Sequence, residues 1–288
     1  EPAPAPAPAE GPDPNSGQQE LVVLEPDIAS GLDPDSAKAA APEGQEIRIN
    51  ISDTLIGYPL VDDTKGVLEP QYAVGTQGYV PLLAESWSST TNSDNTVTWT
   101  WNLRKGIKSC AGNELTADDV VWTWSRRKAI PGASPIGWFL GNVSAVFDLT
   151  PLVPPEGQDT VPPEAKKLLD TEVKKIDDYT VQVTQRNPNE LYPRVEAISF
   201  QFIWDSKEMQ AQATDKDPWA FQYGDTQNAP GFGPYCLTNW NKGSEMTLEA
   251  NPNGYYRGAP QFKKVTIRKV PQSANRVGAI KGGDADVI

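Results

Sequence analysis

Residues Pro81 to Trp124 read PLLAESWSSTTNSDNTVTWTWNLRKGIKSCAGNELTADDVVWTW and hold the strongest local structure signals in the chain. We predict a strand from Thr96 to Arg104, because large apolar side chains alternate there with threonine and asparagine, the two-residue period of a sheet with one buried face. A helix is predicted from Ala117 to about Lys128, with Thr116 as its N-cap and Asp119 three residues later completing the start signal. The stretch thus predicts a strand with an aromatic buried face, followed by a capped helix.

The composition excludes several classes of function. The 288 residues include 25 Lys+Arg and 38 Asp+Glu, which gives a net charge of −13. Such a charge repels phosphate backbones, so we expect no nucleic-acid partner. The sequence has no histidine, which removes histidine-based catalysis and ordinary histidine metal sites. We therefore expect no enzyme activity, no cofactor and no metal.

The two cysteines, Cys110 and Cys236, are far apart in the sequence. They fit either one disulfide in an oxidising compartment or two buried thiols, and the residues alone leave both alternatives open. Residues 1–20 are rich in proline, alanine and glutamate and have almost nothing to bury, so they predict a disordered tether.

Three short segments give weaker predictions of secondary structure. Ile47 to Leu60 permits either a helix or a strand. Asp177 to Val183 predicts a strand, since Tyr179, Val181 and Val183 fall on one side. Ser273 predicts the N-cap of a short helix that ends at Gly282-Gly283.

The order of signals around the central stretch resembles the signature of the extracellular solute-binding proteins of family 5, the peptide/nickel class that serves ABC importers. LAESW, a polar turn, the strand with LRKGIK, and LTADDVVW follow one another in the family's order. Later matches are GFGPY at residues 231–235, NPNGYY at residues 251–256 and GDADVI at residues 283–288. The resemblance covers about Leu21 to Ile288, which corresponds to the first half of a typical member.

The resemblance implies an α/β fold of the periplasmic-binding-protein type, with mixed sheets and an extra inserted domain. Residues 21–57 and 186–288 are expected to form lobe I, and residues 58–185 the smaller inserted domain. The second lobe is expected to be missing, as in a chain cut near its hinge.

The function that the resemblance implies is the capture of an extracellular small solute, above all an oligopeptide, and its delivery to a membrane permease of an ABC importer. The expected protein is a monomer, extracellular or cell-surface after removal of a signal peptide, and either periplasmic or held by a lipid anchor. The alternative is a secreted glycan-binding or adhesive module with exposed coplanar tryptophans. Trp99 and Trp101 argue against it, since they fall on the predicted buried side of one strand.

The resemblance also implies a set of ligand-binding residues on lobe I. A turn after the opening strand, a loop after the central helix and the GFGPY turn contribute to it. The expected residues are Asp33, Lys38, Ala40, Ile136, Trp138, Phe139, Gly231, Phe232 and Gly233. Two alternatives stay open: Asp33-Pro34 as a plain tight turn, and Trp138 with Phe139 as a core pair under a loop.

Overall fold

The computed structural model describes residues 19–36, 41–58, 60–62, 68–70, 78–129, 173–185 and 190–288. Its strands, numbered in chain order, are β1 (Glu20–Glu25), β2 (Ile56–Gly57), β3 (Leu60–Asp62), β4 (Leu68–Pro70), β5 (Val80–Pro81), β6 (Ala84–Thr91), β7 (Val97–Leu103), β8 (Val173–Asp177), β9 (Thr180–Gln185), β10 (Tyr235–Asn241), β11 (Glu245–Ala250) and β12 (Lys264–Lys269). Its α-helices are α1 (Pro42–Ile51), α2 (Ala117–Ala129), α3 (Tyr192–Glu196), α4 (Ser206–Ala211), α5 (Phe221–Thr226) and α6 (Ser273–Gly282).

The first four-stranded sheet has the order β1-β12-β11-β10. β10, β11 and β12 are antiparallel neighbours, and β1 joins β12 in parallel with Val23 opposite Ile267. The tight turn between β10 and β11 contains Gly243 at φ 79°, a left-handed conformation that glycine adopts without strain. Met246, Leu248 and Ile267 are buried on the inner face of this sheet. After α6, the chain returns to the other side of β1, where Val287 forms a parallel bridge with Val23.

The second four-stranded sheet has the order β6-β7-β9-β8 and is antiparallel throughout. Trp101 lies opposite Trp87 on one side and Val181 on the other. The Trp101 ring stacks on those of Trp87 and Trp99 at centroid distances of 6.1 and 6.2 Å, and Trp101 is fully buried. The structure thus confirms the predicted strand and its aromatic buried face.

The helix α2 packs against the second sheet through Val120 and Trp124, which are both buried. At its N-terminus the Asp119 carboxylate accepts a hydrogen bond from the Thr116 backbone amide at 2.7 Å. This is the return half of a capping box and satisfies an amide that has no partner within the helix. The predicted helix is therefore confirmed, and so is the role of Asp119 at its start; the Thr116 hydroxyl donates to the Asp119 carboxylate at 3.2 Å, and the Asp119 amide is bonded to the Thr116 backbone carbonyl.

The weaker predictions had mixed outcomes. Ile47 to Ile51 belong to the helix α1, so the helix alternative holds for that part of the segment. The strand β9 contains Val181 and Val183 on its buried side. The prediction for Ser273 was wrong: Gln272 is the N-cap of α6, without a side-chain capping hydrogen bond, although the helix ends at Gly283 in a left-handed conformation as expected.

The strands of the two sheets come from different parts of the chain, in line with the expected lobe I and inserted domain. The hydrophobic core beneath the second sheet nevertheless includes Leu55, Ile203 and Phe232 from the expected lobe I. The domain boundaries stay a prediction. None of the helices in the described ranges combines the length and apolar character needed to span a bilayer.

Candidate functional site

The carboxyl ends of the two parallel strands, β1 and β12, lie side by side at one end of the first sheet. β1 ends at Glu25, whose carbonyl accepts a hydrogen bond from the Val270 amide just after β12 at 2.7 Å. Lys269 pairs with Asp27 at 2.8 Å at the same end. From there β1 leads into a loop and β12 leads into α6. In open α/β sheets, ligands bind in the crevice outside the carboxyl ends of the strands, which makes this end of the sheet a candidate site.

We name this surface the strand-end face and define it as residues 25–30, 269–272 and 286–288. Apolar surface lies open beside it. The helix α6 has no buried residue, and its Val277 and Ile280 are 41% and 36% exposed. The strand-end face is thus a polar end of the sheet beside the exposed Val277 and Ile280 of α6, which suits contact with a ligand or another protein surface.

Asp33 was expected to line the cleft, and the structure places its carboxylate elsewhere. It is fully buried and forms a bidentate pair with the Arg126 guanidinium of α2. The Asp33 carboxylate also accepts the Asp35 amide at 2.8 Å, which closes the tight turn that was the alternative. The carboxylate is thus buried and engaged by arginine in this structure, and a role of Asp33 in ligand binding stays a prediction.

The pair of Asp33 and Arg126 belongs to a larger buried charge cluster. Arg126 contacts Asp35 at 3.1 Å and Arg127 contacts it at 3.4 Å. Burial opposes the charge on Arg126, but the carboxylates of Asp33 and Asp35 outweigh this and raise its pKa. Burial also lowers the pKa of Arg48 to about 10, a shift that the nearby carboxylates limit. The arginines of α2 therefore anchor that helix to the loop after β1.

The GFGPY turn is in contact with the end of α1. The Gly233 amide donates a hydrogen bond to the Ile51 carbonyl at 3.1 Å, and a side chain at Gly233 would collide with the backbone of Ile51 and Ser52. A side chain at Gly231 would collide with Ser52 in the same way. The close approach expected at these glycines thus occurs with the protein's own chain. Phe232 is 1% exposed and packs in the hydrophobic core, and its expected contact with a ligand stays a prediction.

The remaining expected ligand residues lie outside the described residues. These are Lys38, Ala40, Ile136, Trp138 and Phe139.

A disulfide joins Cys110 to Cys236, with Cα atoms 5.7 Å apart. Of the two alternatives, one disulfide or two buried thiols, the structure therefore contains the disulfide. Beside it the Asp205 carboxylate accepts hydrogen bonds from Ser109 at 2.5 Å and from Asn113 at 2.9 and 3.1 Å. Asn253 donates to the Ser109 carbonyl at 2.9 Å. The loop before α2 is thus bonded to the surroundings of the first sheet.

We name this contact the seam: residues 108–127 on one side and residues 33–35, 201–206 and 236–253 on the other. Sequence reasoning missed most of its polar members. One signal was available, since Asp205 and Glu208 have the spacing of a helix start, and Asp205 does cap α4 by accepting the Glu208 amide. No local signal existed for Arg126, because a cation in a helix is usually solvated.

A comparison with known families decides the class of the protein. The family described as bacterial extracellular solute-binding proteins, family 5 Middle, matches residues 78–288. The chain belongs to this family. Its members are bacterial extracellular solute-binding proteins.

Known relatives of this family-5 protein agree with the fold. The probable D,D-dipeptide-binding periplasmic protein DdpA of Escherichia coli K12 is 27% identical over 205 residues, which are 71% of this chain and 33% of DdpA. DppA of Helicobacter pylori, solved with the peptide STSA, superposes with a TM-score of 0.65 at 21% identity, over 92% of this chain and 45% of DppA. MoaA of A. tumefaciens, solved with mannopinic acid, superposes with a TM-score of 0.64 at 24% identity, over 93% of this chain and 44% of MoaA. The chain therefore spans less than half the length of these relatives.

Within the described ranges, the tryptophans of this family-5 protein do not form the exposed coplanar surface that the glycan-binding alternative requires. Trp101 and Trp124 are buried, and the stacked Trp87 and Trp99 are only partly exposed at the edges of the buried face. In the described ranges, no tryptophan is fully exposed.

Proposed function

We propose that the protein is the solute-capturing component of an ABC importer, that its ligand is a small extracellular solute, most of all an oligopeptide, and that it delivers this ligand to a membrane permease. The observation that carries the proposal is the membership of family 5 together with the strand-end face. Ligands of open α/β sheets bind at the carboxyl ends of parallel strands, which supports this face as the site, and the exposed apolar side chains of α6 beside it suit contact with a second surface.

The binding chemistry that we propose is recognition of a peptide backbone. An extended peptide offers amides and carbonyls at every residue, so contacts to them give affinity while tolerating many side chains. The peptide STSA in the H. pylori relative supports a ligand of this type. Binding would shift the protein toward a closed state that the permease distinguishes from the open one. We propose no catalytic step.

We also propose that the protein works outside the cytoplasm. The periplasmic location of the E. coli relative supports this, and the disulfide between Cys110 and Cys236 suits an oxidising compartment. The expected tether of residues 1–20 is shortened at its end, because Glu20 belongs to β1 and the Gln19 carbonyl accepts hydrogen bonds from the Lys263 and Lys264 amides. The segment before Gln19 would serve as a tether between the folded protein and a lipid anchor. We further propose that the protein acts as a monomer.

The first experiment is native mass spectrometry of the longest natural form of the protein, purified without added ligand. We expect a small-molecule adduct whose mass equals that of a short peptide. Tryptophan fluorescence titrations then compare the tetrapeptide STSA, the same peptide with blocked termini, and mannopinic acid. Saturable binding of STSA alone supports the peptide proposal. Binding of mannopinic acid alone moves the ligand class to sugar-derived acids, and saturable binding of neither compound, with no adduct, overturns solute capture.

A further inference from the structure

The disulfide between Cys110 and Cys236 forms part of the wall of a cavity. The cavity has a volume of about 380 Å³ and borders β10, the outer strand of the first sheet, and both cysteines line it. Cys110 is half-buried, whereas Cys236 is 8% exposed. Two further lining residues, Ala111 and Pro252, are exposed. The disulfide therefore borders space that a small molecule can enter from solvent, and Cys110 is its more accessible half.

The loop that carries Cys110 is also held by hydrogen bonds that do not involve the disulfide. We define this cysteine loop as residues 108–113. Its side chains donate to the Asp205 carboxylate at 2.5 to 3.1 Å. Asn251 and Asn253 donate to two of its backbone carbonyls at 3.1 and 2.9 Å. These bonds lie on both sides of the cysteine, so they would keep the loop in place if the disulfide were broken.

We propose that this disulfide is a site of thiol exchange in the folded protein, with a low-molecular-weight thiol as the co-reactant. The thiolate of the small molecule attacks the Cys110 sulfur, and a bond forms between these two atoms. The bond between the two cysteine sulfurs breaks, and Cys236 leaves with its electron pair and takes a proton from water. Cys110 then carries the small molecule as a mixed disulfide. A second thiolate attacks the sulfur of that small molecule, so that Cys110 leaves as a thiolate and two small thiols are oxidised to their disulfide.

The exchange turns the covalent contact of the seam into a non-covalent one without separating it. Cys236 stays fixed in β10, where it lies opposite Glu249 of β11, and the cysteine loop stays bonded to Asp205. Because both partners keep their positions, the disulfide re-forms readily once the small thiol is removed. The proposal does not depend on solute capture, since β10 and β1 are the two outer strands of the first sheet and the strand-end face lies at β1 and β12.

The experiment follows the reaction of the purified, oxidised protein with mercaptoethanol at neutral pH. Excess N-ethylmaleimide stops the reaction by capping free thiols, and peptide mass mapping locates both groups. Early in the reaction we expect mercaptoethanol on Cys110 and N-ethylmaleimide on Cys236, while tryptophan fluorescence stays that of the folded protein. The rate should be unchanged by urea below the unfolding transition. A reaction through the unfolded protein would instead accelerate with the equilibrium constant for unfolding.

Two variants test access to the disulfide and the role of unfolding separately. Ala111→Phe places a ring beside Cys110 and should slow the exchange about tenfold or more, because the rate depends on access to the attacked sulfur. Its matched control is Ala259→Phe, at an exposed alanine outside the lining, which should react at the wild-type rate. Ile267→Ala weakens the core of the first sheet away from the cavity and should also react at that rate. A route through the unfolded protein would make this variant at least about thirtyfold faster.

Four results overturn the proposal. The first is no exchange under conditions where the protein stays folded. The second is a rate that rises with urea or in Ile267→Ala as the unfolded population does. The third is mercaptoethanol on Cys236 instead of Cys110, and the fourth is equal rates for Ala111→Phe and Ala259→Phe.

Discussion

The seam and the strand-end face lie on the same lobe and differ in how they are bonded. At the seam a disulfide, a buried charge cluster and the hydrogen bonds of Asp205 join α2 and its preceding loop to the first sheet. At the strand-end face the neighbouring helix α6 buries no residue, and the polar contacts include the backbone hydrogen bond from Val270 to Glu25 and the partly exposed pair of Lys269 and Asp27. One side of the lobe is closed by bonds that resist separation, and the other is left open.

This difference indicates where the protein can move. Separating the seam would break a covalent bond and leave charges without partners in a medium of low polarity, which is costly. Separating a surface from the strand-end face would break little within this chain. We therefore expect the two sheets to move together, and conformational change to occur at the open side. Four predictions test this comparison, from the largest expected effect to the smallest.

The first prediction concerns the buried charge cluster. Arg126→Met should destabilise the protein by about 3–5 kcal/mol, because it leaves the buried Asp33 carboxylate without its main partner. The measurement is the free energy of unfolding from urea denaturation followed by tryptophan fluorescence.

Its matched control is Lys175→Met at the surface. Lys175 bridges Asp118 and Asp178 at 2.8 Å each, but all three side chains are substantially exposed. Such pairs contribute about 0–1 kcal/mol. If Arg126→Met costs no more than Lys175→Met, the cluster does not stabilise the seam.

The second prediction concerns the disulfide. Changing both Cys110 and Cys236 to serine should destabilise the protein by about 2–4 kcal/mol, because the bond closes a long loop between residues 126 positions apart. Dithiothreitol should lower the stability of the wild type and leave the double variant unchanged. Equal unfolding midpoints of the oxidised wild type and the double variant would show that the covalent link adds nothing to the seam.

The local parts of the fold could be predicted from the sequence, and the seam could not. The strand β7 and the start of α2 follow from side chains within a few residues of one another, through alternation and capping. The pairing of Arg126 with Asp33 joins residues 93 positions apart. No periodicity or turn signal spans such a distance, so a buried ion pair looks in sequence like two ordinary solvated charges.

The candidate site shows the same limit. The glycines of the GFGPY turn correctly indicated a close backbone approach, since Gly231 and Gly233 leave no room for a side chain. The identity of the approaching segment, the end of α1, depends on the tertiary fold. The cavity of about 380 Å³ beside β10 is likewise lined by residues of α1, α4, β10, β11 and three loops, so no single stretch of sequence predicts it.

The third prediction is a pH dependence at the border of the seam. Asp53 accepts hydrogen bonds from Tyr255 and Tyr256 at 2.6 and 2.8 Å. Burial raises the pKa of Asp53 above its ordinary value, and the two hydrogen bonds limit the rise. The folded state therefore favours the protonated carboxyl more than the unfolded state does. As the pH falls through the raised pKa, the wild type should gain stability relative to Asp53→Asn, until the ordinary value of 3.8 is passed.

The measurement is the difference in Tm between the wild type and Asp53→Asn from pH 7 down to pH 3. Glu85→Gln, at an exposed position of the second sheet, corrects for the general effect of removing one carboxylate. A difference in Tm that stays constant, or that moves against the wild type as the pH falls, contradicts the prediction.

The fourth prediction has the smallest effect. Val277→Lys and Ile280→Lys on α6 should each change the free energy of unfolding of this chain by no more than about 0.5 kcal/mol, because the side chains are already exposed and lose few contacts. The contrast is Ile267→Ala on β12, which is 5% exposed and should cost about 2–5 kcal/mol.

A cost of 2 kcal/mol or more for either lysine variant would show that α6 is covered in solution. Gel filtration would then separate two causes, since loss of a dimer points to a second copy on the open side, while a monomer throughout points to the chain's own residues. In either case the strand-end face would be covered in solution, and the contrast between it and the bonded seam would not hold. If neither lysine variant changes the free energy of unfolding while Ile267→Ala lowers it, the side chains of Val277 and Ile280 are available to a second surface. Capture of a solute between two surfaces requires such a free surface.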